Sequence, residues 1–155
     1  MDFLAPIWTF APGVKTGLLM LALSGQMLLT FRMYAVTGAA RMKAGREGRI
    51  TAETYRVVGE EPEDLALLTR ALANQFELPV LFYAVVMAHL AVGTASWITV
   101  ALAVVFVATR VVHANEMTGQ NRVMLRRKLF FRSMGVFVAM LAEFVVAALF
   151  VAVFP

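Results

Sequence analysis

Four long apolar stretches, separated by two polar connections and one short uncharged turn, set the pattern of the chain. The first follows Pro12-Gly13 and covers about residues 15–40; the others cover about 65–91, 97–119 and 129–154. Each is long enough for the ~20 residues a helix needs to cross ~30 Å of hydrocarbon. The pattern therefore predicts an all-α integral membrane four-helix bundle, built as one transmembrane domain over residues 1–155. Residues 41–64 are too polar to span: Arg41, Lys43, Arg46, Arg49 and Arg56 face Glu47, Glu53, Glu60, Glu61, Glu63 and Asp64 there. Pro62 followed by two acids suits the first turn of the second span. The turn at Val92-Gly93-Thr94-Ala95-Ser96 has no charge, and Arg122, Arg126, Arg127 and Lys128 crowd the last connection. Arg32, near the far end of the first span, is expected to snorkel toward the interface.

The second span is interrupted by Arg70, Asn74, Glu77 and Pro79. On a continuous helix Arg70, Asn74 and Glu77 stand at i, i+4 and i+7 and project from one stripe. Charged residues inside a span are costly and point into a bundle or a wet cavity, so this stripe is a candidate site. Pro79 is expected to kink the helix and widen that cavity. Counting ~1.5 Å per residue from the uncharged turn puts Glu77 and Arg110 level, about 20 Å into the core. This predicts a Glu77–Arg110 ion pair between adjacent antiparallel helices.

Arg70, Asn74 and His113 fall closer to the basic connections. On the third span Arg110, Ala114, Met117 and Asn121 share a face bordered by His113, with Asn115, Arg122 and Arg126 on another side if the helix continues that far. Arginine binds carboxylates bidentately, so a cavity rimmed by Arg70, Arg110, Arg122 and Arg126 suits a small anion. The same arginines would favour the thiolate form of a bound thiol.

Composition sharpens this reading. The chain is 61% hydrophobic and 15% charged, with a mean hydropathy of +0.76, well past a soluble domain. The net charge of +4 does not point to nucleic acid, because the basic residues gather in the two polar connections and at the helix ends beside them. The positive-inside rule makes those connections cytoplasmic and puts both termini outside. With no cysteine there is no disulfide, thiolate metal site or protein thiol nucleophile, so any thiol must arrive with a substrate. His89 and His113 are too isolated to make a metal site, and the ten methionines read as packing. The N-terminal residues have no basic region of a cleavable signal, so the first span is expected to stay. Glu143 lies near the middle of the fourth span with no cation nearby in sequence; it is expected to be a protonated carboxyl bonded across a subunit interface or a contact to a partner protein.

Arg70-Ala-Leu-Ala-Asn74-Gln-Phe-Glu77 with Pro79, Arg110-Val-Val-His113 with Arg122 and Arg126, and Thr37-Gly-Ala-Ala-Arg41-Met-Lys43 resemble the second, third and first helices of the MAPEG family, the membrane-associated proteins in eicosanoid and glutathione metabolism. The resemblance implies a homotrimer of four-helix subunits in a bacterial-type member, placed in the inner membrane, with glutathione bound in a U shape between subunits at the cytoplasmic side. It assigns Arg70, Asn74, Glu77, Arg110 and His113 to that cosubstrate, with Arg122 beside them and Arg41 or Lys43 contributed by the neighbouring subunit. Arg126 takes the place of the arginine that activates the thiol, and Met117 stands where many members have a tyrosine. The implied activity is a glutathione transferase or peroxidase acting on a lipophilic electrophile that arrives through the bilayer. The alternative is a catalytically silent subunit that keeps the cavity for structure or lipid binding inside a larger membrane complex. A solute carrier is less attractive, since the four spans show no inverted repeat.

Overall fold

The structure, a computed structural model, describes residues 13–56 and 60–153. The expectations about the N-terminal residues 1–12 and the last residue of the fourth span lie outside the described residues. Among those described, all regular structure is helical: α1 (Val14–Arg46), a 3-10 turn at Glu53–Tyr55, α2 (Glu63–Ala73), α3 (Leu78–Val92), α4 (Trp97–Thr118) and α5 (Val123–Val153). α2 and α3 together make one of four candidate membrane spans.

Three boundaries differ from the sequence pattern, each for a local reason. α1 runs on to Arg46, because Lys43 and Arg46 in its last turn suit the negative end of a helix dipole. At ~1.5 Å per residue its 33 residues exceed a ~30 Å core, so its basic end emerges from the apolar layer. α5 starts at Val123, six residues before the expected start, so most of the basic connection is helical. The turn left between α4 and α5 is tight. Asn121 takes a left-handed φ of 53°, and its N–H donates to the Glu116 carbonyl at 2.8 Å. A Cβ on Gly119 would meet the Asn115 carbonyl oxygen at 2.9 Å, so only glycine fits. Arg122 closes this turn, donating from its Nε and Nη2 to the Glu116 carboxylate, both at 2.9 Å.

The third difference matters most: the second span is broken, not kinked. Helical bonding stops after Ala73, and residues 74–77 form turns before α3 begins. Proline has no N–H, and in a helix interior its ring clashes with the carbonyl four residues back. Pro79 therefore sits in the first turn of α3, where no N–H is needed. The i, i+4, i+7 stripe expected for Arg70, Asn74 and Glu77 does not survive the break.

α4 is the central helix, packed on α1, α2 and α5, while α3 packs on α1 and α5. Toward the uncharged turn the core is Leu19, Leu23, Phe82, Val86, Ala103, Phe106 and Met140, with Phe82 stacked on Phe106 at 4.4 Å between ring centroids. Toward the basic end it is Leu29, Met33, Ala71, Ala114 and Met117. Between them the buried Gln26 donates from Nε2 to Gln75 Oε1 at 3.1 Å, and Gln75 donates back to the Ala71 carbonyl at 3.3 Å. Lipid tails are as apolar as leucine, so close packing and such buried polar bonds, rather than water exclusion, hold spans together.

Glu143 is not left alone. Its carboxylate accepts from Ser96 Oγ at 2.7 Å and from Thr99 Oγ1 at 3.0 Å. His89 Nε2 lies 3.0 Å from Oε2, off the line of a hydrogen bond, and His89 Nδ1 meets Thr94 Oγ1 at 3.0 Å. The expectation that Glu143 lacks a partner within its own chain is therefore corrected. The longer α5 carries Glu143 to the uncharged turn, where Ser96 and Thr99 also form the capping box that starts α4.

Replacing Glu143 by Leu is expected to strand Ser96, Thr99 and His89 and to cost about 1–3 kcal/mol, the usual penalty for unpaired buried polar groups. Glu143→Gln, which still accepts, should cost less. Thermal unfolding in detergent checks the order of the two variants.

Candidate functional site: a cleft at the break in the second span

Breaking a helix in mid-membrane frees backbone groups that lipid cannot satisfy. Here the freed carbonyl is that of Asn74, and Arg110 from α4 takes it: Nη2 donates to the Asn74 oxygen at 2.8 Å and lies 3.5 Å from its side-chain Oδ1. Arg110 is fully buried. Its cation sits at the C-terminal end of α2, where the helix dipole favours positive charge. The expected Glu77–Arg110 ion pair is not formed among the described residues. The two side chains do not come within ion-pair contact: the break leaves Glu77 exposed, while the Arg110 guanidinium is taken up by the Asn74 carbonyl.

Beside this junction opens a cleft of about 420 Å³ lined by Asn74 and Glu77 from the break, His113 and Met117 from α4, and Val123, Arg126, Arg127, Phe130 and Phe131 from α5. The α5 contribution follows from its early start: from Val123, residues 126, 127, 130 and 131 return to one helical face. Arg126 bonds Asn121 Oδ1 in the α4–α5 turn, which orients its guanidinium. Of the buried polar atoms at this junction, Arg110 Nε and Nη1 and His113 Nδ1 have no partner. The N–H groups of Glu77 and Leu78 also make no backbone bond. Non-helical backbone at membrane depth is tolerated where protein buries it or where it lines a water-filled cavity, so the cleft reads as wet.

The structure thus brings Asn74, Glu77, His113 and Arg126 into one lining, with Arg110 directly behind Asn74. Of the other residues expected from the same chain, Arg70 and Arg122 are not in this lining, while Arg41 and Lys43, expected from a neighbouring subunit, stand apart from it within their own chain. Arg70 is exposed on α2 and does not line the cleft. Arg122 is held by Glu116. Arg41 is engaged within its own chain by Glu61 at 2.6 Å and Thr69 at 2.8 Å, with its guanidinium 5.0 Å from the Tyr55 ring centre. Lys43 is mostly exposed and approaches Glu47 at 3.9 Å. Residues that sequence reasoning missed are Arg127, Phe130 and Phe131. The signal was present in the spacing from Val123, had the basic stretch been taken as helix.

Fold and site together define a four-span helical membrane protein with a polar, partly cationic cleft where its second span breaks. The MAPEG family model matches residues 19–149 of the 155-residue chain. The chain belongs to the MAPEG family, which includes glutathione transferases and related proteins. No curated protein sequence and no solved structure was found to match it.

Arg110→Met should expose the Asn74 carbonyl to an apolar surround and lower stability by about 1–3 kcal/mol. Arg70→Ala, at an exposed site whose side chain makes no hydrogen bond or ion pair among the described residues, should stay within about 0.5 kcal/mol of the parent. The midpoints of detergent thermal melts compare the two directly.

Proposed function

We propose that the protein binds glutathione in this cleft and acts as a glutathione transferase or peroxidase on lipophilic electrophiles. The observation that carries the reading is the mixed lining: one carboxylate (Glu77), two guanidinium groups (Arg126 and Arg127), an amide and an imidazole, beside Met117, Val123 and two phenylalanines. Glutathione offers the complement, an ammonium for Glu77 and two carboxylates for the arginines, which bind such groups as charge-assisted forks. The cleft volume falls within the range of about 300–1,000 Å³ common for small-ligand sites. Arg126 is the group assigned to the thiol: a nearby cation favours the thiolate, which attacks the electrophile's carbon and forms the C–S bond while the leaving group departs with its electron pair. The apolar wall of Val123, Phe130 and Phe131 gives a lipophilic partner a path from the bilayer.

The proposed assembly is a homotrimer with the cleft completed by a neighbouring copy. In that arrangement the unpartnered atoms of Arg110 and His113 would meet ligand or neighbour. The proposed orientation puts the basic ends of α1 and α5 in the cytoplasm of a bacterial inner membrane and the uncharged Gly93 turn outside. Met117, which brings no hydroxyl to the cleft, favours a second reading in which the chain binds the ligand without turnover inside a larger membrane complex. Glu143 no longer supports that reading.

Calorimetry on detergent-purified protein is expected to show saturable glutathione binding. Glu77→Gln and Arg126→Ala should each weaken it about tenfold or more, given ~1.5–3 kcal/mol for a hydrogen bond to a charged group. No binding at millimolar glutathione would overturn the proposal. Turnover of 1-chloro-2,4-dinitrobenzene supports the transferase, and binding without turnover of either an aryl halide or a lipid hydroperoxide supports the silent subunit.

A further inference from the structure

A second binding feature lies on the other side of α4. Arg32 of α1 is exposed and donates from Nη1 to Asn115 Oδ1 at 2.8 Å. No carboxylate among the described residues pairs with it. Arg32 stands eighteen residues along from the start of α1, and Asn115 the same distance from the start of α4. At ~1.5 Å per residue each lies ~27 Å from the start of its own helix, near the inner edge of a ~30 Å core.

The pair is anchored on two aligned stripes. On α1, Leu18, Leu21, Ala22, Gly25 and Arg32 return to one face; on α4, Val104, Val107, Ala108, Val111 and Asn115 do the same. Where the stripes meet they form an apolar groove of about 350 Å³ lined by Leu18, Leu21, Ala22, Val104, Val107 and Ala108. Gly25 carries no side chain into it, and a Cβ there would stand 3.5 Å from Val107 Cγ1. The near end of the groove, at Ala22 and Ala108, lies roughly 10–15 Å from the Arg32–Asn115 pair by helical rise. That span matches the ~15 Å reach of one leaflet. His113 and Asn115 leave α4 about 200° apart, so this groove is separate from the glutathione cleft.

We infer that the α1–α4 groove is a site for an anionic phospholipid, with its headgroup phosphate on Arg32 and Asn115 and an acyl chain running outward past Gly25 to Ala22 and Ala108. The occupant follows from charge and shape. A guanidinium at the membrane edge without a counter-charge attracts a phosphate, and the exposed apolar surface of Leu28, Val111 and Ala108 leads from it to the groove, which receives the end of the chain. Asn115 distinguishes the site from a freely snorkelling arginine, because it fixes the guanidinium about one acyl chain's reach from the near end of the groove. The site stands whether or not the cleft binds glutathione.

The test is lipid retention by native mass spectrometry of the full chain, released from detergent micelles with equimolar phosphatidylglycerol and phosphatidylcholine. The expected result is one retained phosphatidylglycerol per chain, preferred about fivefold, the worth of one basic side chain beside an anionic surface. Arg32→Gln should bring the ratio to parity, while Ala108→Trp should reduce retention of both lipids by filling the groove. Arg127→Gln with Lys128→Gln, which alters the basic surface of α5, should leave the preference in place. A preference that survives Arg32→Gln, or that vanishes with the α5 variant alone, would overturn the assignment. So would a change of oligomeric mass in Arg32→Gln with lipid preference intact, since that would give Arg32 to a second copy of the chain.

Discussion

A single guanidinium-to-carbonyl bond makes the rest of this architecture possible. A span broken at four residues inside a bilayer exposes peptide groups that cost several kcal/mol each if nothing meets them. Arg110 meets the Asn74 carbonyl from the central helix and places its charge at the end of α2 where the dipole accepts it. The bond is neutral on one side and charged on the other, so it is stronger than an ordinary amide contact. Because α4 also packs against α1 and α5, the same residue ties the break to the whole bundle.

The break in turn creates the cleft. A continuous helix would bury its own amides and leave only side chains to line a cavity. Interrupted before Pro79, the chain leaves Glu77 exposed and two N–H groups without backbone partners beside the cleft. Two further polar knots keep this opening from loosening the bundle. Gln26 and Gln75 bond in the buried layer beside the break. At the opposite end His89, Thr94, Ser96, Thr99 and Glu143 hold α3, α4 and α5 at the uncharged turn. Hydrogen bonds between spans contribute on the order of 1 kcal/mol each, so these clusters supplement packing and fix which faces meet.

Much of this was legible in the residues themselves. Hydrophobic length gave the spans, and the cost of charge in lipid singled out Asn74, Glu77, Arg110 and His113, which do gather around one junction. Counting residues from a turn measures height along a bundle, and in height Glu77 and Arg110 are well matched. It does not measure azimuth. A break resets the azimuth of everything after it, which is why the predicted Glu77–Arg110 pair gave way to an Arg110–carbonyl bond. The basic run from Arg122 to Lys128 posed a different problem: its charge suggested a loop, yet arginine and lysine are good helix formers. Once helical, it delivers Arg126, Arg127 and Phe130 to one wall and carries Glu143 along to its partners. Family resemblance shared that limit, since it transfers positions along a chain but not the local bonds, such as that of Glu116 with Arg122, that hold a side chain elsewhere.

Backbone hydrogen exchange over residues 70–82, followed in lipid nanodiscs by mass spectrometry with fragmentation to single residues, tests the central claim most directly. The account predicts that the amides of Glu77 and Leu78 exchange far faster than those of Ala73 and Phe82 on either side, and that Arg110→Met spreads fast exchange into the last turn of α2. Uniform protection from Arg70 through Phe82, unchanged by Arg110→Met, would mean an intact helix and would contradict it.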